Sequence, residues 1–396
     1  MTMRDGSTSR RALASACLYL AAGLMVQANA AEKRLVYVGT YTNSKTSPSE
    51  GVYKLEFDPA TGALTPLGVA GKADSPSFLA FSPDGKHLYA AEETGDYQGE
   101  KAGSIAAFAV DPKTGDLKLL NRQSSKGAHP CHVSIDPTGK VVLTANYSGG
   151  SVACLPVDPD GSLRPASTVI QHQGHSVDAG RQKGPHAHSA NFGPAGKLAF
   201  VADLGLDKVM IYDVDAETGK LSPHEPASAK IEPGRGPRHL AWAPSGKFAY
   251  VITEMGGTVD VFAYDSAQGE LKEIQSITTL PADNKTKPGC AEVVVHPSGK
   301  FVYGSNRGHD SLAIYKADPT TGKLTAAGWT STGGKNPRNF VIDPTGGWLL
   351  AANQDSDSIL VFKIDPETGG LTPTGSPIKL PKPVCIRFLP QPSSAR

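Results

Sequence analysis

Several features that would settle a protein's class at once are scarce in this sequence. Only five cysteines occur in 396 residues, at positions 17, 131, 154, 290 and 385. None forms a CxxC pair or stands at zinc spacing from a histidine, so neither a disulfide framework nor a structural zinc site is expected. At most a bridge or two could join Cys131, Cys154, Cys290 and Cys385. An excess of one charge is also missing: 39 Lys and Arg face 38 Asp and Glu, a net charge of +1. There is thus no electrostatic ground for nucleic acid or an anionic membrane as partner. Beyond residue 26 no stretch approaches the ~18 unbroken apolar residues that would span a bilayer. Long segments free of helix breakers are absent too. The 43 glycines and 31 prolines are spread along the whole chain, against a usual share of about 7% and 5%. That excludes helix bundles and α-solenoids. With 39% hydrophobic residues the chain is also not of a disordered class. What remains is a large, ordered, turn-rich fold.

The first thirty residues read as an address. Arg4, Arg10 and Arg11 precede an apolar run from Ala12 to Val26, and Ala28-Asn29-Ala30 supplies small residues for cleavage. A basic start, a short apolar centre and an A-x-A end make a signal peptide over 1–30, and hence a periplasmic or secreted protein. The Arg10-Arg11 pair points toward twin-arginine export, although the residues after it fit that pattern loosely. The mature chain, 31–396, is then expected to have no membrane association.

Internal repeats decide the architecture. An Asp-turn-Gly-x-Leu motif, first seen as Asp58-Pro59-Ala60-Thr61-Gly62-Ala63-Leu64, recurs from Asp111, Asp158, Asp215, Asp265, Asp318 and Asp365. A second motif, Pro-x-Gly followed by an apolar strand, has its glycines at 85, 139, 196, 246, 299 and 346. Between them lie short β-branched and aromatic runs such as 35–39, 88–91, 141–145, 198–202, 248–252, 301–304 and 348–352. These are strands, four to each unit of about 50 residues. Such a unit cannot bury its own apolar faces, so the units must stack; closing them radially gives an all-β propeller. Seven copies of one motif against six of the other mean that one blade is split. Residues 34–42 supply its second strand and 384–389 its first. The sequence therefore predicts a single domain, 31–396, of seven four-stranded antiparallel blades, with the ring closed by pairing the N- and C-terminal strands.

The same register locates a site, because framework residues should repeat and functional ones should be exceptions. In each unit strand A enters the Pro-x-Gly hairpin and strand B leaves it. The start of A and the end of B therefore meet on one rim. Six residues before the hairpin proline stand Ser77, Cys131, His188, Arg238, Ala291 and Arg338; eight after the hairpin glycine stand Glu93, Tyr147, Leu204, Glu254, Arg307 and Gln354. His188, Arg238, Glu254, Arg307 and Arg338 are thus expected to converge around the central channel. Arginine forks hold carboxylate, phosphate or a developing oxyanion, and Glu or His can act as general base on water. Any one of them alone could be structural, since Arg–Glu pairs also lace blades together; the set on one rim points to a ligand. Asp178 and Glu292 are lesser candidates for the same rim. The histidine-rich insertion at 172–188 raises metal binding, but acids near it are sparse and no metal or cofactor is expected.

These residues resemble a known family, the seven-bladed propeller lactonases, which includes 6-phosphogluconolactonase-like and carboxy-muconate cyclase-like (cycloisomerase 2) members. The resemblance covers about 33–390 and rests on Val36-Tyr37-Val38-Gly39-Thr40-Tyr41-Thr42, Pro185-His186-Ala187-His188, Gly236-Pro237-Arg238-His239-Leu240, Glu254 and Ser305-Asn306-Arg307-Gly308. It implies a metal-independent lactone hydrolase acting on a small anionic lactone such as 6-phospho-D-glucono-1,5-lactone. It also implies that His188, Arg238, Glu254 and Arg307 are catalytic, with His186, Arg338 and Asn306 expected to bind substrate. The expected form is a monomer or weak dimer. The family's phosphosugar substrate is cytosolic, whereas the leader directs export: either 1–30 is not a leader, or the enzyme works on another lactone such as an unphosphorylated sugar lactone. Two alternatives stand beside this: a muconate cycloisomerase-type lactonising enzyme using the same arginines, and a non-catalytic secreted binding propeller.

Overall fold

The recurrent turns close hairpins, and the hairpins set the strand order. At Asp58 the carboxylate accepts the N–H of Ala60 at 2.9 Å, and the Asp58 carbonyl accepts the N–H of Gly62 at 2.8 Å. Gly62 has φ +76°, a region that only glycine enters freely. The structure is a computed structural model that describes residues 32–46 and 48–391. The expected leader at 1–30 lies outside the described residues.

Seven four-stranded antiparallel sheets form, each with its strands side by side in the order A-B-C-D. Blade one spans residues 76–124, two 130–171, three 187–230, four 237–278, five 290–331 and six 337–379. Blade seven takes strand A from Pro383–Phe388 and strands B to D from Arg34–Thr40, Gly51–Asp58 and Ala63–Lys72. Val36 pairs with Phe388 and Val38 with Ile386, so the ends of the chain close the ring as the motif count requires. The A strands pack one against the next around the axis, including that of blade seven against blade one.

Apolar faces are buried between blades. Val36, Leu55 and Phe57 of blade seven meet Trp348, Leu350 and Val361 of blade six, for example. Each such side chain contributes about 1.5–3 kcal/mol on full burial. Polar ties repeat as well. Four B-strand tyrosines reach the next blade's Asp-Gly turn: Tyr37 to the Gly115 carbonyl (2.6 Å), Tyr89 to Gly161 (3.1 Å), Tyr250 to Gly322 (3.1 Å) and Tyr303 to Gly369 (2.8 Å).

Two local devices position the site. First, the residue that follows each B strand donates its N–H to a carbonyl just before strand A of the same blade, as in Glu254 to Gly236 (2.8 Å) and Arg307 to Gly289 (3.1 Å). Second, strand A carries an irregularity near its start in blades one to six. In blade four, Pro237 pairs with Thr253 and His239 with Ile252, leaving Arg238 as the extra residue. Ser77, Cys131, His188 and Arg338 are skipped in the same way. Such bulges re-aim a side chain, here toward the axis.

Candidate active site

Glu254 is the centre of the polar cluster. Its Oε2 lies 3.2 Å from Arg238 Nε, 2.8 Å from Arg307 Nη2 and 3.8 Å from His188 Nε2; its Oε1 accepts from Arg181 Nη2 at 2.7 Å. Burial by itself would raise this carboxyl. The charges of Arg307 and Arg238, with the hydrogen bond from Arg181, outweigh it and hold Glu254 far below the usual carboxylate range. Glu254 is therefore ionised at every working pH. Arg238 is 2% exposed, and its Nη1 donates to the Ala291 carbonyl at 2.5 Å. Burial, then the charges of Arg307 and Arg338, lower it to about 10, so it remains a cation near neutrality. Arg307 is braced by the Gly289 carbonyl (2.8 Å) and the Cys290 carbonyl (3.1 Å).

His188 is buried beside them. Burial, then Arg238 and His239, keep its imidazole neutral by lowering it well below 6.5. Its Nδ1 stands 3.6 Å from the Sγ of Cys131, and the thiol is 3.3 Å from the His188 carbonyl. Burial pushes this thiol up, out of the thiolate range. All four described cysteines are buried and unpaired.

The register thus brings His188, Arg238, Glu254 and Arg307 into one contact group. Arg338 joins the channel on another side, with its guanidinium 5.4 Å from the centre of the Tyr41 ring. Tyr41 in turn donates to Glu93 Oε2 at 2.9 Å. His186 stacks on Tyr147 at 4.6 Å and meets the Tyr147 carbonyl at 3.0 Å, outside the Glu254 contact group. Asn306 does not face the site. It is buried, donates to the Thr279 carbonyl at 2.8 Å and accepts from the Cys290 thiol. Asn146 and Asn353, at the same place in other blades, bond backbone carbonyls likewise. Asp178 caps a turn through the N–H groups of Gly180 and Arg181.

Sequence reasoning missed one group, Arg181, and misplaced part of another by setting Glu292 on the rim itself. Arg181 comes from the insertion at 172–188, where only the histidines drew notice. That insertion is tied down by His172, whose Nδ1 is 2.6 Å from Asp203, and by Gln182, which donates to the Leu204 carbonyl and to Asp207. The other group is a lower tier. His239 Nε2 is 3.3 Å from Arg238 Nη1, and His239 Nδ1 is 2.9 Å from Glu292 Oε1; Asn339 donates to Glu292 Oε2. An arginine can only donate, so His239 Nε2 is the acceptor and Nδ1–H donates to Glu292.

The rim opens as a cavity of about 550 Å³ lined by Arg181, Glu254, Arg307, Lys287, Lys335 and Asp310, among others. Four cationic side chains on its wall suit an oxygen-rich anionic ligand. Among the described residues no group of three or more His, Cys, Asp or Glu side chains is arranged to hold a metal ion.

Known proteins share this arrangement of blades. The chain is 38% identical over 359 residues to the 6-phosphogluconolactonase of Bacillus subtilis (strain 168), a match covering 91% of this chain and 99% of that one. A 6-phosphogluconolactonase from Formosa agariphila is 35% identical over 309 residues, 77% of this chain and 85% of that one. The solved structure of the periplasmic gluconolactonase PpgL of Pseudomonas aeruginosa superposes with a TM-score of 0.85 at 35% identity, over 91% of this chain and 100% of that one. A family profile described as "Lactonase, 7-bladed beta-propeller" matches residues 35–388. The chain belongs to the seven-bladed β-propeller lactonase family.

Proposed function

We propose that this lactonase hydrolyses a six-membered sugar-acid lactone, of the glucono-1,5-lactone class with or without a phosphate, to the open acid. We place it in the periplasm, with 1–30 as its leader. Export is supported by the sequence of that leader and by a relative named for the periplasm. The observation that carries the chemistry is a neutral imidazole, His188, 3.8 Å from a permanently ionised carboxylate, Glu254, beside an arginine-lined cavity.

The two groups divide the work. The Cys131 thiol proton is taken by the His188 carbonyl, so Nδ1–H faces the sulfur and the Nε2 lone pair faces Glu254. A water between Nε2 and Glu254 Oε2 finds two acceptors and is turned with its oxygen toward the cavity. As that oxygen bonds to the lactone carbonyl carbon, Nε2 takes one proton. Arg238 lies beside the charge that develops on the carbonyl oxygen. When the ring C–O bond breaks, His188 returns the proton to the ring oxygen, which becomes the hydroxyl of the open acid. Glu254 stays ionised throughout, orienting the water and stabilising the imidazolium. Arg307 and Arg181 fix Glu254 and present positive charge to the substrate's hydroxyls and, where it carries one, its phosphate, which Lys287 and Lys335 also face.

The test is acid release, followed at constant pH against spontaneous hydrolysis, from glucono-1,5-lactone and its 6-phosphate. Purified protein should accelerate at least one of them. His188→Ala and Glu254→Gln should each lower kcat by about 100-fold or more, the usual span for a general base. Wild-type rates in both variants would remove these residues from the chemistry.

A further inference from the structure

A second, small space lies among the A-strand bulges beside Arg238, and the hydrolytic mechanism leaves it unassigned. Its free volume is about 10 Å³, room for one water-sized oxygen. Ser77, Arg238, Arg338 and Glu93 are among its walls. Ser77 is 4% exposed, and its Oγ is buried without any hydrogen-bond partner. A hydroxyl so placed is costly unless a partner arrives. Arg338 has no hydrogen bond or ion pair to protein among the described residues; its guanidinium lies over the Tyr41 ring, within the field of Glu93 and Glu254. The Glu93 carboxylate, the one acid in the wall, is engaged by the Tyr41 hydroxyl. The chamber is thus a one-atom space with an unanswered hydroxyl and two cations on its wall.

We propose that this chamber is a single-oxygen subsite, in which Ser77 Oγ, Arg338 and Arg238 receive the carbonyl oxygen of the lactone as it becomes an oxyanion. It rests on the hydrolytic reading above and adds Ser77 as a catalytic residue. The A-strand bulge is what makes it possible. Ser77 and Phe78 line the chamber as sequence neighbours, as do Arg238 and His239, whereas a regular strand would send alternate side chains to opposite faces.

An oxyanion donor and a holder of structural water respond differently to truncation. Ser77→Ala should lower kcat by about 10-fold or more with KM within about twofold, since the hydroxyl strengthens its bond only in the transition state. Its thermal midpoint should not fall, because no protein hydrogen bond is lost. Arg338→Gln should lower kcat as well. The double variant should lose less than the product of the two single losses, because both groups serve one oxygen. Wild-type kcat in Ser77→Ala, with or without a lowered midpoint, would overturn the subsite while leaving lactone hydrolysis standing. Absence of turnover in the wild type on any lactone would overturn both together.

Discussion

Proton binding separates the groups of this site more sharply than their positions do. His188, His239 and His132, whose ring lies 5.5 Å from that of His239, are each held well below 6.5, with burial as the main cause and the charges of nearby arginines such as Arg238 and Arg387 adding to it. Glu254 is held far below its ordinary value. His188, the proposed base, has a conjugate acid so disfavoured that the neutral ring stays available in mild acid. The kcat/KM profile of the purified enzyme should therefore show no acid limb near 6.5, and should stay flat until well below that value. A limb centred at 6.5 would mean that His188 titrates like an exposed histidine and is not the buried base described here. Stability should move in a linked way. Below 6.5 the unfolded chain takes up protons on these three histidines while the folded chain does not, so stability falls as pH drops. Each contributes a slope of up to about 1.4 kcal/mol per pH unit. Glu292, raised by burial, binds its proton more readily in the folded state and trims that slope. Denaturant midpoints between pH 7 and pH 5 would measure the balance; a midpoint that rises toward pH 5 would contradict the buried neutral histidines.

At the scale of strands and turns, the repeating tyrosine-to-glycine tie is the clearest energetic unit. Tyr250 donates to the Gly322 carbonyl at 3.1 Å, and Gly322 has φ +72° with the Phe248 ring only 2.3 Å from where a Cβ would stand. Tyr250→Phe should cost about 1 kcal/mol, the worth of one hydrogen bond. Gly322→Ala should cost more, combining left-handed strain of about 1–2 kcal/mol with the steric overlap. Neither should alter kcat, since both lie away from the rim; urea unfolding and a lactone assay on the same preparations would check this. These ties mark what was legible beforehand. The Asp-Gly and Pro-x-Gly turns carry their geometry in their residue types, so strand order, blade count and the register of His188, Arg238, Glu254 and Arg307 could be read from spacing alone. The place of the lower tier could not, although Glu292 itself stood among the rim candidates. Alternation places His239 and Glu292 on the opposite face from Arg238 and Ala291, and only the bulge turns neighbours to the same side. Arg181 sits on an insertion that has no counterpart in other blades, so no register reached it. Asn306 erred the other way: Asn146 and Asn353 recur at its position, which marks framework rather than function.

Over the whole molecule, the ring makes the site depend on a strand that contributes none of the Glu254 contacts. Strand A of blade seven, Pro383–Phe388, pairs with Arg34–Thr40 and packs against strand A of blade one. Its Ile386 N–H donates to Asn339 at 2.8 Å, and Asn339 donates to Glu292, which holds His239 against Arg238. Hydrogen bonds thus run from the closing strand through blades six and five to the arginine beside Glu254. A chain ending at residue 380 would leave Arg34–Thr40 an open edge and remove the first link of that series. It should lose its cooperative unfolding transition and its turnover together. Leu35 and Leu389 lie close enough to separate the effect of closure from that of mere chain order, since Leu389 N–H donates to the Leu35 carbonyl at 2.9 Å. Joining them by a short linker and opening the chain at the exposed turn between Ser266 and Ala267 keeps every strand pair intact. That permuted protein should unfold in one step and retain a kcat within a few-fold of wild type. A truncated chain as stable and active as the permuted one would show that the ring holds without its closing strand, and that the blade-to-blade hydrogen bonds do not position Arg238.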